Sequence, residues 1–173
     1  MSSTIRILED AKLKYKDILD FDEFYKKMAL WFKLKGYTFA ETQYNEFDDP
    51  RGKQIELIWE TNKKFDVYAK FLIKIQTRIL AFNKIEIEKE GKKVKTSKGD
   101  FSFRINTFVV LDYDNNFDSG FKKILREIYD RFVIQSRIEN YKISMQKDSE
   151  ELLSEMKSFF AMFGSTPQYY ENQ

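Results

Sequence analysis

The spacing of polar and apolar residues changes period twice along the 173-residue chain. At Asp20-Phe21-Asp22-Glu23, Asp20 can cap a helix and Glu23 stands three residues on, the arrangement of a capping box. Apolar residues then recur at Phe24, Met28, Trp31, Phe32 and Leu34, and Lys33 and Lys35 suit the negative end of the helix dipole before Gly36. The spacing predicts a helix over 21–35. The preceding Ile5-Arg6-Ile7-Leu8 reads equally as a short strand or a helical turn.

From Tyr37 the period falls to two, which predicts strands at Tyr37–Phe47, Gln54–Glu60, Val67–Phe82, Lys84–Lys89, Lys92–Thr96 and Phe101–Asp112. Val67, Ala69, Phe71, Ile73, Ile75, Thr77 and Ile79 share one face of the third; Lys70, Lys74, Gln76 and Arg78 share the other. Asp48-Asp49-Pro50-Arg51-Gly52 and Glu90-Gly91 are turn signals. Short connections favour a meander, because parallel pairing needs crossover segments.

The period then returns to that of a helix. Phe121, Ile124, Leu125, Ile128 and Phe132 form one stripe, and Leu152, Leu153, Met156, Phe159, Phe160 and Phe163 a second. A second capping-box arrangement at Asp148-Ser149-Glu150-Glu151 favours two helices meeting at a bend near 140–148 over one continuous helix.

These elements predict an α+β fold in a single domain, residues 1–173. It consists of an N-terminal helix, an antiparallel meander of about five or six strands over 37–112, C-terminal helices over 119–163 packed on the sheet, and a loose tail at 165–173. In element order this is similar to helix-grip and cystatin-like architectures, where a sheet wraps a helix. The likeness rests on no diagnostic residue and implies no activity.

Composition narrows the chemistry. The absence of His and Cys removes disulfides, thiolate nucleophiles, imidazole acid–base catalysis and every His- or Cys-ligated metal site. Asp112-Tyr113-Asp114-Asn115-Asn116-Phe117-Asp118 resembles the start of a calcium loop. Phe117 holds the turn-glycine position, however, and Lys123 the closing glutamate position, so the string reads as a polar turn before a helix. Glu56/Glu60 and Glu86/Glu88 lie on the polar faces of their strands, where solvated carboxylates belong. No catalytic residue, metal or cofactor is expected. Neither a signal peptide nor a membrane-spanning run is visible, so the default expectation is a cytoplasmic protein.

Charge is balanced overall, 30 basic residues against 28 acidic, but unevenly placed. Residues 63–104 hold twelve Lys or Arg and five acids, a local net charge of +7. Lys70, Lys74, Arg78 and Arg104, with Tyr68 and Phe108 on the same outward face by parity, form a candidate nucleic-acid surface. The stripe Leu152, Leu153, Met156, Phe159, Phe160 and Phe163 is a candidate interface with a second copy or another protein. The leading expectation is a non-catalytic interaction or assembly subunit. A nucleic-acid-binding accessory protein and a carrier of an apolar ligand between sheet and helix stand beside it.

Overall fold

A computed structural model describes residues 2–114, 135–164 and 167–170. In chain order the elements are β1 (Ser3–Leu19), α1 (Phe21–Leu34), β2 (Thr38–Asp49), β3 (Gly52–Lys64), β4 (Ala69–Lys89), β5 (Lys92–Leu111), α2 (Gln135–Ala161) and β6 (Gln168–Tyr170). The strands form one sheet in the order β2-β3-β4-β5-β1-β6, every neighbour antiparallel. The α+β class and the meander from β2 to β5 agree with the sequence pattern.

Three features differ from it. The chain opens on a strand, not a helix: β1 runs 17 residues and pairs with β5 from Ser3↔Leu111 to Leu19↔Ser97. Its alternation is hidden because the register shifts twice between Arg6 and Ala11, with Asp10 in the left-handed region at φ 54°. Next, the strands expected at 67–82 and 84–89 are one strand, as are those at 92–96 and 101–112. A bulge at Ala81 (φ 51°) flips the facing pattern and so mimics a strand end. Third, Gln168–Tyr170 of the expected loose tail pairs with β1 as the sixth strand.

Helix α1 ends where its signals place it. The Asp20 carboxylate accepts from the Glu23 amide at 3.0 Å, and Gly36 takes φ +81° while Tyr37 N–H bonds back to the Phe32 carbonyl at 2.8 Å. Helix α2 has no bend at 140–148. The side chains that suggested a cap make tertiary bonds instead: Asp148 accepts from the Tyr37 hydroxyl at 2.7 Å and Lys63 at 3.2 Å, and Ser149 bonds Thr107 at 3.0 Å. The stripe Phe121–Phe132 lies outside the described residues.

Both helices lie on one face of the sheet. Phe24 of α1 joins the layers: its ring sits 6.2 Å from Trp59 (β3), 5.2 Å from Phe103 (β5), and 5.4 and 5.2 Å from Phe159 and Phe160 (α2). Lys27–Glu155 at 3.6 Å and Lys35–Glu151 link the two helices at their rims. Thus the space beneath the long helix, where a carried ligand would lie, is filled with aromatic rings.

Candidate functional site

The basic stripe is where parity puts it, but it is not free. Lys70, Lys74, Arg78 and Arg104 lie on the sheet face away from the helices, in rows set by Lys74↔Asn106 and Gln76↔Arg104. Lys74 pairs with Glu60 at 2.9 Å, Arg78 with Glu56 at 3.4 Å and Arg104 with Asp10 at 3.3 Å; Lys70 sits 5.4 Å over the Tyr113 ring. Phe108 shares that face, in register with Leu72 and Arg6, and is half-buried. Tyr68 does not share it. It precedes β4 and is buried in the core, because the Asp66 carboxylate accepts from the Tyr68 and Ala69 amides and turns the chain inward.

The C-terminal stripe is placed differently from a docking surface. Leu152, Leu153, Met156, Phe159 and Phe160 are buried within the chain, and Phe163 packs against the same core with its ring 5.3 Å from Phe159. One sheet face needed more apolar cover than α1 supplies, so this stripe is the lid of the core.

Two surfaces remain that the pattern of residues did not single out. The first is the free edge of β2. Its 12 residues pair with β3 on one side, and among the described residues nothing pairs on the other. Thr38–Asp49 contains no Lys or Arg, and of its four acids Glu46 pairs with Lys53 and Asp49 with Arg51. Tyr44 and Phe47 are about half exposed, on opposite faces by their register with Leu57 and Gln54.

The second surface is a cleft of about 860 Å³ between the first turn of α1 and the inner faces of β2, β3 and β4. Ile55, Leu57, Phe82 and Phe21 contribute its apolar lining; Glu41, Tyr44 and Glu46 of β2 border it with Tyr25 of α1, and Lys26, Lys53 and Lys84 line it as well. Its far end is fixed by Gly52 at φ +135°. A Cβ there would stand 2.4 Å from the Asn83 amide nitrogen and 2.9 Å from the backbone of Ala81 and Phe82, so only glycine lets the β2–β3 turn close on the β4 bulge. Asn83 secures that contact by donating to the carbonyls of Arg51 and Ala81, both at 3.0 Å.

The tyrosines at the mouth are neutral hydrogen-bonding groups. Burial, then the hydrogen bond to Glu46, pushes Tyr44 up to about 12, and burial with Glu41 nearby raises Tyr25. Lys53, and then Tyr44, hold Glu46 below the ordinary carboxylate range. Elsewhere Tyr37, pushed far up by burial and then by its bond to Asp148, and Lys63 over the Tyr37 ring at 5.0 Å form a closed fastener. Among the described residues no group of three or more His, Cys, Asp or Glu converges to hold a metal. Asp112 is buried and its amide donates to the Tyr68 carbonyl at 2.8 Å; Asn115 to Asp118 of the calcium-like string lie outside the described residues. No described helix is long and apolar enough to cross a membrane.

The β2 edge could have been found from the lack of Lys or Arg over Thr38–Asp49, but Asp48 and Asp49 read as turn residues and no residue pattern marks a strand as an edge. The cleft was not legible, since it depends on the bulge at Ala81 and on how far α1 reaches along β3. No known protein family, curated protein or solved structure matches this chain.

Proposed function

We propose that the protein is a non-catalytic interaction module that takes an extended, basic segment of a partner protein along the free edge of β2. The observation that carries this reading is the juxtaposition of an unpaired 12-residue edge with an apolar-lined cleft immediately beside it. An added strand gains main-chain hydrogen bonds from such an edge and selectivity from pockets that receive alternate side chains. Here the inward side chains would meet Ile55, Leu57 and Phe82, while Glu41 and Asp48 favour Lys or Arg; Asp49 is taken up by Arg51. Acidic side chains on an edge also discourage pairing with another copy of the same strand. The assembly expected from sequence is therefore assigned to a different surface, β2 in place of α2, and to a partner of opposite charge.

A peptide of alternating Lys and Val, about eight residues long, tests it. Its addition slows hydrogen exchange at β2 amides and shifts residues of the cleft, and Glu41→Lys with Asp48→Lys abolishes both effects. Protection that is unchanged, or spread evenly over the sheet, overturns the reading. The cleft volume favours a second reading, a small amphipathic ligand, since it lies within the roughly 300–1,000 Å³ of such sites. In that case 1-anilinonaphthalene-8-sulfonate binds in the cleft and leaves β2 amide exchange unaltered.

A further inference from the structure

The solvent face of the sheet carries a row arrangement that the β2 edge does not use. Antiparallel pairing aligns Lys12 (β1), Arg104 (β5), Gln76 (β4), Ile58 (β3) and Gln43 (β2) directly across five strands. The next row is Lys14, Ser102, Arg78, Glu56 and Asn45. At the open end β6 adds Tyr170 opposite Lys12 and Gln168 opposite Lys14. Two depressions of about 410 and 530 Å³ follow these rows and share Lys14, Arg78 and Ser102, so they form one groove. With strands about 4.8 Å apart, Lys12 to Gln43 spans ~19 Å.

The charges in this groove are only partly answered. Arg104–Asp10 at 3.3 Å and Arg78–Glu56 at 3.4 Å are long beside the ~2.7–2.9 Å of a tight charge-assisted bond. Lys12 and Lys14 have no carboxylate partner among the described residues; Lys14 lies 5.9 Å over the Tyr170 ring. The groove runs across the strands over a length of several residues, which suits a linear polyanion better than a compact anion. Among its uncharged members are the amides Gln43 and Gln76, able to donate and accept toward base edges, and its end holds the half-exposed Tyr170 ring.

We infer that this groove binds the backbone of single-stranded nucleic acid, with Lys12, Lys14, Arg78 and Arg104 on phosphates and Tyr170 as a stacking platform. Of the set expected from sequence it keeps Arg78 and Arg104, leaves out Lys70, Lys74, Tyr68 and Phe108, and gains Lys12 and Lys14 of β1 and Tyr170 of β6. None of its phosphate-binding or stacking residues lies on β2.

The experiment is fluorescence anisotropy with labelled 12-nucleotide U-only RNA and T-only DNA, titrated in salt. Four phosphate contacts give a log–log slope of about −3, from roughly −0.7 each. Lys12→Glu with Lys14→Glu weakens binding at least about tenfold, and Lys12→Gln with Lys14→Gln weakens it in the same order but less, both without loss of fold by circular dichroism. The control is Lys92→Glu with Lys93→Glu at the tip of the β4–β5 hairpin, an equal change of charge far along the strands; it leaves affinity within about threefold. Absence of wild-type binding to either oligonucleotide at 50 mM salt, or an equal loss in the hairpin control, overturns the inference.

Discussion

Asp66 turns the chain between β3 and β4 and also ties α2 to that turn. Its carboxylate accepts from the amides of Tyr68 and Ala69 at 2.8 and 2.7 Å and from the Tyr141 hydroxyl of α2 at 2.5 Å. Burial acts to raise its pKa, but the Tyr141 bond, the two amides and Arg137 outweigh it, so the carboxyl titrates below its ordinary value. A carboxyl depressed in the folded state contributes stability above its unfolded pKa, near 3.9, and that contribution is lost as pH falls through the folded value. Tyr141→Phe removes a hydrogen bond to a charged group and costs about 1.5–3 kcal/mol at pH 7. The difference from wild type shrinks below about pH 4, as the carboxyl is protonated in both. Urea melts at pH 7 and pH 3 check this; a difference independent of pH shows that Tyr141 acts by packing alone. The sequence contained Asp66 and Tyr141 but no sign that they meet, because 75 residues separate them.

At the scale of elements, α2 is the strongest case for core over interface. Phe159 is 1% exposed and lies among Phe24 and Phe163, with Lys27 over its ring at 5.5 Å. Removing a buried Phe costs roughly 3–5 kcal/mol, and placing a carboxylate there costs more, against a total stability of about 5–15 kcal/mol. Phe159→Asp with Phe163→Asp therefore unfolds the protein, read as lost near-ultraviolet dichroism and thermal transition. A variant that stays folded and changes only its solution mass returns α2 to the role of an interface. The helices, the meander and the inward set of β4 were legible because each follows one period over many residues. Helix α1 was bounded to one residue by Asp20 and Gly36. What hid β1 and split β4 were bulges at Asp10 and Ala81, where an extra residue reverses the parity on which strand reading depends. The same reversal concealed the groove lysines Lys12 and Lys14, and the capping-box pattern at 148–151 misled because Asp and Ser also serve tertiary bonds inside a helix.

For the whole molecule, the distribution of charge over the sheet decides how copies meet. The chain is nearly neutral at net +2, yet one edge of its sheet is acidic and the solvent face beyond it basic. Two β2 edges brought together antiparallel would face eight carboxylates across one seam, answered from each chain by Lys53, bound to Glu46, and Arg51, 3.4 Å from Asp49, with Glu41 and Asp48 left without an ion pair among the described residues. Like charges directly opposite destabilise a strand pair, and the loss of exposed backbone pairing alone does not offset it. The expected outcome is that the wild type does not pair through this edge at neutral pH, despite the length of the unpaired edge. Removing two of the charges with Glu41→Gln and Asp48→Asn, which leaves the Asp49 bond to the Arg51 amide intact, frees the edge to pair with itself. Sedimentation equilibrium then shows twice the monomer mass at high protein concentration for the variant only, and added salt shifts the wild type in the same direction by screening the seam. A wild type that is already dimeric at neutral pH, with a mass indifferent to salt and to these substitutions, shows that copies meet through some other face and removes the charge argument for a basic partner.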